Sequence, residues 1–207
     1  MLNIPQSTAI TCVKPSGTVS QLVDSASGIH TRHSDYYIRT VRGDNKDPLT
    51  QFMIDSGIPN EPDVMKPDSV TVFSFPMKSP EGAVTRNSLS AIDQLHMWQT
   101  YQQYWCEHKP SVTISVKEEE WMEVGSWVYR NFDEISGISF LPHSDHTYAQ
   151  APYQEINKEE YKKLLKKMPK QINWNNLTKY EKDDTTAGSK ELACTAGVCE
   201  VVDIGNT

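Results

Sequence analysis

Two short stretches of the sequence carry residues whose types and spacing could do chemistry. The first runs from Lys14 to Ser20 and reads Lys-Pro-Ser-Gly-Thr-Val-Ser. Proline fixes the backbone and glycine permits conformations that other residues avoid, so this stretch predicts a turn rich in free N–H groups. Oriented N–H groups, hydroxyls and a nearby cation can together hold a phosphate. Because Pro-Ser-Gly-Thr is also ordinary turn composition, these residues alone leave a plain structural turn open.

The second stretch contains Cys194 and Cys199, which four residues separate near the end of the sequence. Residues 179–190 before them show no apolar periodicity, which predicts a flexible arm. Two thiols at the end of such an arm can close a disulfide and exchange it with another, so they could carry electrons. A solvent-exposed pair without a role is the alternative, as is half of a zinc site, which would need two further ligands.

The composition limits the class of protein. The chain has 207 residues, of which 37% are hydrophobic and 23% charged, and its formal net charge is -7. This acidic balance argues against a nucleic-acid or membrane-surface binder. The sequence shows neither a signal peptide nor an apolar run long enough to span a membrane, which predicts a cytoplasmic protein. Of the 4 cysteines, Cys12 and Cys106 are expected to be buried structural thiols.

Several parts of the sequence together resemble one known family. They are ITCVKPSGTVSQLVDSASGIHTRHSDYYIRTVR at residues 10–42, Asp-Pro-Leu at 47–49, Ser-Phe-Leu-Pro-His-Ser-Asp-His at 139–146, and the two tail cysteines. On these residues the chain resembles the adenosylcobalamin-dependent (class II) ribonucleotide reductases, of phage or bacterial type, over nearly its whole length. In that family the Pro-Ser-Gly-Thr turn lies at the end of a barrel strand and holds the phosphates of the ribonucleotide substrate.

The resemblance implies roles for two sets of residues. The substrate phosphate would be held by Pro15, Ser16, Gly17, Thr18, Val19 and Ser20. Cys194 and Cys199 would form a redox shuttle that takes electrons from a thioredoxin- or glutaredoxin-like protein into the active site. Fixing the phosphate sets the register of the substrate, which is a positioning role.

The family converts ribonucleotides to 2′-deoxyribonucleotides by radical chemistry. Homolysis of the cobalt–carbon bond of adenosylcobalamin makes a thiyl radical on a finger-loop cysteine, and a pair of barrel cysteines supplies the electrons. Neither Cys12 nor Cys106 lies in that finger-loop context, and cobalamin contacts cannot be placed. We therefore expect the carboxy-terminal portion of a reductase, inactive without the upstream part. The alternative is a stand-alone α/β phosphate-binding module without catalysis.

The elements that must position these residues alternate between strands and helices. Strands are predicted at residues 7–13, 35–42, 70–75, 111–116 and 137–141, and helices at 48–56, 91–108, 117–132 and within 153–169. Asp47 before Pro48, and Ser90 paired with Asp93 as a capping box, predict the starts of the first two helices. The second helix has an apolar stripe that is expected to be core, formed by Ile92, Leu95, Trp98, Tyr101 and Trp105, and the third has apolar residues at helical spacing at Trp121, Val124, Val128 and Phe132. The strand at 111–116 is predicted from its clean alternation of apolar and polar residues. This alternation predicts α/β packing with a largely parallel sheet. The family fold is a ten-stranded α/β barrel, of which this chain would supply the later strands. We expect barrel structure over residues 1–172 and a flexible cysteine tail over residues 173–207.

Three further groups of polar residues have open interpretations. The small polar loop at residues 24–30 suits the lining of a site. The basic residues Arg32, His33, Arg39 and Arg42 form either a solvated edge or a group that helps to hold a triphosphate. The run at residues 143–146 carries two histidines and an aspartate, but a stable zinc site wants three or four ligands, so we expect no metal there.

Overall fold

The computed structural model of the chain describes residues 4–17, 19–143 and 148–181. The chain divides into two compact units. The first contains the chain up to Tyr37, Met77–Tyr148 and Tyr153–Tyr161. The second contains Ile38–Pro76, Ala149–Pro152 and the chain from Lys162 onward.

Helices and strands alternate along the described chain, as the sequence predicts. The helices are α1 (Val19–Leu22), α2 (Pro48–Asp55), α3 (Ala91–Tyr104), α4 (Trp121–Arg130) and α5 (Lys158–Leu165). The strands are β1 (Tyr36–Asp44), β2 (Asn60–Pro62), β3 (Val70–Lys78), β4 (Thr113–Val116), β5 (Ser139–Pro142) and β6 (Tyr153–Glu155). Short 3-10 helices cover Glu118–Glu120, Phe132–Glu134 and Trp174–Lys179. The α/β class is therefore confirmed.

The strands form two sheets, of which one is parallel. Four strands follow the order β2-β3-β1-β6, and β2 runs antiparallel to β3 with Asn60 opposite Phe73. Strands β4 and β5 pair in parallel, with Thr113 opposite Ser139. Helix α4 lies between β4 and β5 in sequence, as a parallel connection requires.

The core of the first unit is built where α3 and α4 cover β4. Its centre contains Leu95, Trp98 and Ile114, each with no exposed surface. Ser90 starts α3 with the predicted capping box, because its hydroxyl accepts the backbone N–H of Asp93 at 3.0 Å. The buried indole N–H of Trp98 donates to the carbonyl of Pro110 at 3.1 Å, so its polar atom is satisfied.

The second unit is organised around α2 and the side chains that cover it. Asp47 caps the helix and Pro48 occupies its first turn, both as predicted. The ring of Phe52, 3% exposed, lies 5.4 Å from that of Trp174 and 5.5 Å from that of Tyr180. The sequence analysis did not predict the 3-10 helix that contains Trp174. Most of the predicted tail, residues 173–207, lies outside the described residues.

Some expectations from apolar patterning are wrong. Residues 7–13 form no strand, and Ile10 is 76% exposed. The segment instead lies against the chain after α3, and the backbone N–H groups of Ile10 and Thr11 both donate to the carboxylate of Glu107. Helix α3 ends at Tyr104 rather than near residue 108, which leaves Trp105 57% exposed. Strands β2 and β6 were not predicted.

The predicted stripes of α3 and α4 are only partly buried. Tyr101 on α3 is 38% exposed, and Phe132, placed on the apolar face of α4, is 70% exposed. Trp127, which the sequence analysis did not place in the core, is only 6% exposed. Within the described residues, no helix combines the length and apolar character needed to cross a membrane.

Candidate phosphate-binding site

The predicted turn exists and faces solvent. Residues 14–17 are exposed, and Gly17 has a φ of 60°, a left-handed conformation that favours glycine. The N–H of Val19 donates to the carbonyl of Ser16 at 3.3 Å, which closes the turn into the short helix α1. A Cβ on Gly17 would meet no atom of the described residues within 4 Å, so these residues leave space beside the turn for a ligand. Thr18 lies outside the described residues.

A neighbouring loop holds the turn in place. The hydroxyl oxygen of Ser27 accepts the backbone N–H of Ser16 at 2.9 Å. Gly28 has a φ of 61°, and a Cβ there would lie 3.0 Å from the carbonyl oxygen of Lys14. Only glycine therefore allows the loop to approach the turn this closely. The Ser16 N–H is already engaged, whereas the N–H of Gly17 has no partner among the described residues.

The buried side chain of Arg32 also holds this loop. Arg32 is 4% exposed, and its Nη1 donates to the carbonyl of Ser25 at 2.7 Å. Its Nε donates to the hydroxyl of Ser79 at 3.4 Å, and its guanidinium carbon lies 5.9 Å from the centre of the Tyr37 ring. Nη2 is buried and has no hydrogen-bond partner within the described chain. Arg32 is thus a structural cation and does not form part of a solvated edge.

The loop at residues 24–30 lines a cavity of about 680 Å³ in the first unit, as its composition suggested. The opposite wall comes from residues 80–84 and from Asp93, Met97 and Tyr101 on α3. The volume lies in the range of small-molecule pockets, roughly 300–1,000 Å³. The half-exposed Tyr101, predicted to lie in the core, therefore forms part of a cavity wall instead.

A polar cluster of the first unit joins parts of the chain that are far apart in sequence. The carboxylate of Glu155 accepts from Arg86 at 3.0 Å and from the amide of Asn87 at 3.1 Å. The Asn87 side-chain oxygen lies 2.9 Å from Nε2 of His143. His33 stacks on Tyr153 with ring centres 5.4 Å apart. Burial of the ring, and secondly the Arg86 cation, lower the pKa of His33 to about 4, so it is neutral at pH 7.

The two other basic residues singled out by the sequence are engaged in the second unit. Arg42 donates to the carboxylate of Asp63 at 2.8 Å, and Arg39 donates to the carbonyl of Pro152 at 3.2 Å. The hydrogen bond from Arg42 is the main reason why the pKa of Asp63 lies below its usual value. Arg42 is thus neutralised by an internal carboxylate.

The remaining predicted residues fall into two groups. Cys194 and Cys199, the predicted shuttle, lie outside the described residues, as do residues 144–147 of the histidine-containing run. In the part of the chain that is described, no three His, Cys, Asp or Glu side chains group as metal ligands. Sequence reasoning did not identify Ser27 and Gly28 as supports of the turn. Their signal was the small-residue loop itself, which indicated a site but not which backbone it contacts.

Comparisons with known proteins identify the type of molecule. The chain is 31% identical over 173 residues to the adenosylcobalamin-dependent ribonucleoside-triphosphate reductase of Euglena gracilis, a match of 83% of this chain and 24% of that protein. It is 30% identical over 207 residues to a protein of Dictyostelium discoideum named as a probable enzyme of the same kind, a match of 97% and 26%. No protein-family model matches the chain.

A solved structure agrees with these relatives. The crystal structure of a B12-dependent (class II) ribonucleotide reductase matches 83% of this chain and 24% of that one, with a TM-score of 0.68 and 26% identity. The chain is therefore homologous to part of the ribonucleotide reductases. More narrowly, its relatives are the adenosylcobalamin-dependent, class II enzymes, as the sequence resemblance indicated. The chain spans about a quarter of the length of these relatives.

Proposed function

We propose that this chain is the carboxy-terminal portion of a class II ribonucleotide reductase, an enzyme that converts ribonucleotides to 2′-deoxyribonucleotides by radical chemistry. The observation that carries the proposal is the match of 83% of the chain to a named reductase at 31% identity. Homology of this extent does not favour the alternative of a stand-alone α/β phosphate-binding module. Because the relatives are named ribonucleoside-triphosphate reductases, we infer a ribonucleoside triphosphate as the substrate.

The turn at residues 15–20 would hold the substrate's phosphates. The Gly17 N–H, which has no partner among the described residues, and the exposed hydroxyl of Ser16 would donate to phosphate oxygens. The Ser16 N–H could donate to the phosphate only after it gives up its hydrogen bond to the Ser27 hydroxyl. The loop holds the turn in shape before the ligand arrives, which lowers the entropy cost of binding.

Cys194 and Cys199 would act as the dithiol shuttle. One thiolate attacks a disulfide in the body of the enzyme, the second resolves the mixed disulfide, and the resulting tail disulfide is reduced by a thioredoxin- or glutaredoxin-like protein. The homology to a reductase over 97% of the chain supports this assignment, because it extends close to both ends of the sequence.

Adenosylcobalamin is the cofactor that the relatives' names imply. It supplies the radical when bound. The cavity of about 680 Å³ has the size of a pocket for a drug-sized molecule, whereas a corrin with its nucleotide loop and adenosyl group is considerably larger. The described residues thus offer no cradle that fits the cofactor. We propose that its contacts and the radical cysteine belong to the upstream part of the reductase.

Two further features follow from the same proposal. The parallel β4–β5 pair and the helices that cover it would be later elements of the ten-stranded barrel, and the structural similarity to a class II enzyme supports this placement. The enzyme would act in the cytoplasm, where thioredoxin-like reductants keep thiols reduced.

Reconstitution tests the proposed function. The 207-residue chain is assayed for conversion of a ribonucleoside triphosphate with adenosylcobalamin and dithiothreitol, alone and together with the polypeptide that carries the remaining reductase sequence in the same source. We expect turnover only with both parts. Turnover by the chain alone would contradict the assignment to a portion that lacks the radical cysteine. No turnover with both parts, when each is folded, would contradict the reductase assignment.

A further inference from the structure

Two cysteines that the proposed function does not use, Cys12 and Cys106, lie near each other, and Cys12 just precedes the turn at residues 14–17. Thr11, the neighbour of Cys12, bonds to both neighbours of Cys106. Its hydroxyl donates to the carbonyl of Trp105 at 2.5 Å, and its own carbonyl accepts the N–H of Glu107 at 3.0 Å. The backbone of the two cysteines is therefore held side by side, although they are far apart in sequence.

The side chains complete this arrangement. The Cys12 thiol lies 3.1 Å from the carbonyl oxygen of Lys109, the third residue after Cys106. The two thiols are close enough for Cys12 to affect the pKa of Cys106, and both are free in this structure. A disulfide requires a short backbone separation, which the contacts of Thr11 create between the two cysteines.

The two thiols have different environments. Cys106 is 7% exposed, and burial is the main reason why its pKa lies above the usual value. Cys12 is only partly buried. A thiol that solvent can reach is the one that a dissolved oxidant meets. Cys12 is therefore the residue that an oxidant meets first, and Cys106 is the residue that resolves the product.

We propose that Cys12 and Cys106 form a reversible disulfide, a redox-controlled cross-link between the segment that leads into the phosphate-binding turn and the end of α3. With oxidised glutathione as the oxidant, the Cys12 thiolate attacks one sulfur and releases one glutathione thiolate. The Cys106 thiol then loses its proton to water, and its sulfur attacks that of Cys12 and releases the second. Two protein thiols are oxidised to one disulfide, and one glutathione disulfide is reduced to two thiols.

The consequence of the cross-link is local. Cys12 precedes Lys14 by two residues, and the carbonyl of Lys14 lies against Gly28, so the cross-linked segment is continuous with the turn. Oxidation ties this segment covalently to the chain that follows α3, at the buried position of Cys106, and restricts the adjustment that an incoming phosphate requires of the turn. The disulfide can form without any catalysis by the chain. Its test is therefore independent of the reductase assignment.

The test uses the full chain with Cys194→Ser and Cys199→Ser, which leaves Cys12 and Cys106 as its two thiols. The folded protein is incubated with oxidised glutathione, quenched in acid, alkylated with N-ethylmaleimide and analysed by mass spectrometry. We expect both thiols to resist alkylation, the mass to fall by two hydrogens, and a peptide pair linking Cys12 to Cys106. Dithiothreitol should restore both thiols.

Two comparisons make the result decisive. Native contacts should form the disulfide at least about tenfold faster than in the same chain unfolded in urea, where a long loop must close. With Cys106→Ser added, Cys12 should stop at the mixed disulfide with glutathione. Two alkylatable thiols, two separate glutathione adducts, or equal rates in the folded and unfolded chain would each overturn the proposal.

Discussion

The hydroxyl oxygen of Ser27 accepts the backbone N–H of Ser16 at 2.9 Å, so the loop after α1 ties down the turn before it. A ligand that uses this N–H must compete with Ser27, whereas Gly17 presents its own N–H without such competition among the described residues. The turn is therefore preformed. Its shape depends on residues outside the turn as well as on those within it.

Gly28→Ala should distort the turn from outside. A left-handed conformation costs a residue with a side chain about 1–2 kcal/mol, and the new Cβ would also lie 3.0 Å from the Lys14 carbonyl oxygen. We expect a loss of that size or more in the free energy of unfolding, measured in urea, and weaker binding of a ribonucleoside triphosphate. Gly57→Ala is the matched control, because Gly57 has a φ of 79° and open space around it. Equal losses for both variants, with unchanged binding, would contradict the role of Gly28.

His33 should make the folded state less stable as pH falls. Its pKa in the folded chain is about 4, against about 6.5 when unfolded, chiefly because of burial. Between these values the unfolded chain binds more protons. The contribution of His33 to the free energy of unfolding is therefore fully present above pH 6.5 and is lost progressively toward pH 4. After allowance for solvent screening, the loss is on the order of 1–2 kcal/mol.

The measurement for His33 is urea unfolding at pH 7 and pH 5. His33→Gln should reduce the difference in unfolding free energy between the two pH values. The groups facing His33 are Arg86, Glu155 and His143, and an unchanged pH dependence in His33→Gln would assign the effect to them.

Trp98 should be the largest single contributor to the core of the first unit. It has no exposed surface and its indole N–H is bonded to the Pro110 carbonyl. Trp98→Ala should cost about 3–5 kcal/mol, since it leaves a cavity and an unsatisfied carbonyl. Tyr104→Ala on the same helix, at a position 82% exposed, should change stability by less than about 0.5 kcal/mol. Chemical denaturation of the two variants makes the comparison, and similar losses would be evidence against the core described above.

Cys199→Ser should separate the two sources of electrons in the reconstituted enzyme. Turnover that depends on thioredoxin should fall to the background rate, because a single thiol cannot complete the exchange. Turnover supported by dithiothreitol, which reaches the active site directly, should persist. Thr195→Ser, between the two cysteines, is the control and should support both. Full thioredoxin-dependent activity in Cys199→Ser would remove the shuttle assignment.

Local sequence signals predicted the elements whose causes are themselves local. Asp47 followed by proline, and Ser90 paired with Asp93, fixed the starts of α2 and α3, because these side chains satisfy backbone N–H groups of their own first turn. The alternation around Ile114 predicted β4 for the same reason, since one face of that strand is buried under α3 and α4.

Burial itself was harder to predict. Ile10, Trp105 and Phe132 are large and apolar, yet each is more than half exposed. The type of a residue shows that its side chain favours burial. It does not show whether another part of the same chain is placed to cover that side chain. The support of the turn by Ser27 was hidden for a related reason, because a hydroxyl that bonds to distant backbone leaves no periodic pattern.

The backbone of Arg32 has a consequence for the order in which this structure forms. Its N–H donates to the carbonyl of Val84 and its carbonyl accepts from Arg86, both at 2.9 Å. Contacts between residues so far apart in sequence form only after a long loop has closed. The closure costs conformational entropy before the contacts can offset it. Helix α3 can form from local hydrogen bonds, whereas we expect the loop that carries Ser27 to be ordered only after this docking. The turn that Ser27 holds is therefore expected to take its final shape after α3.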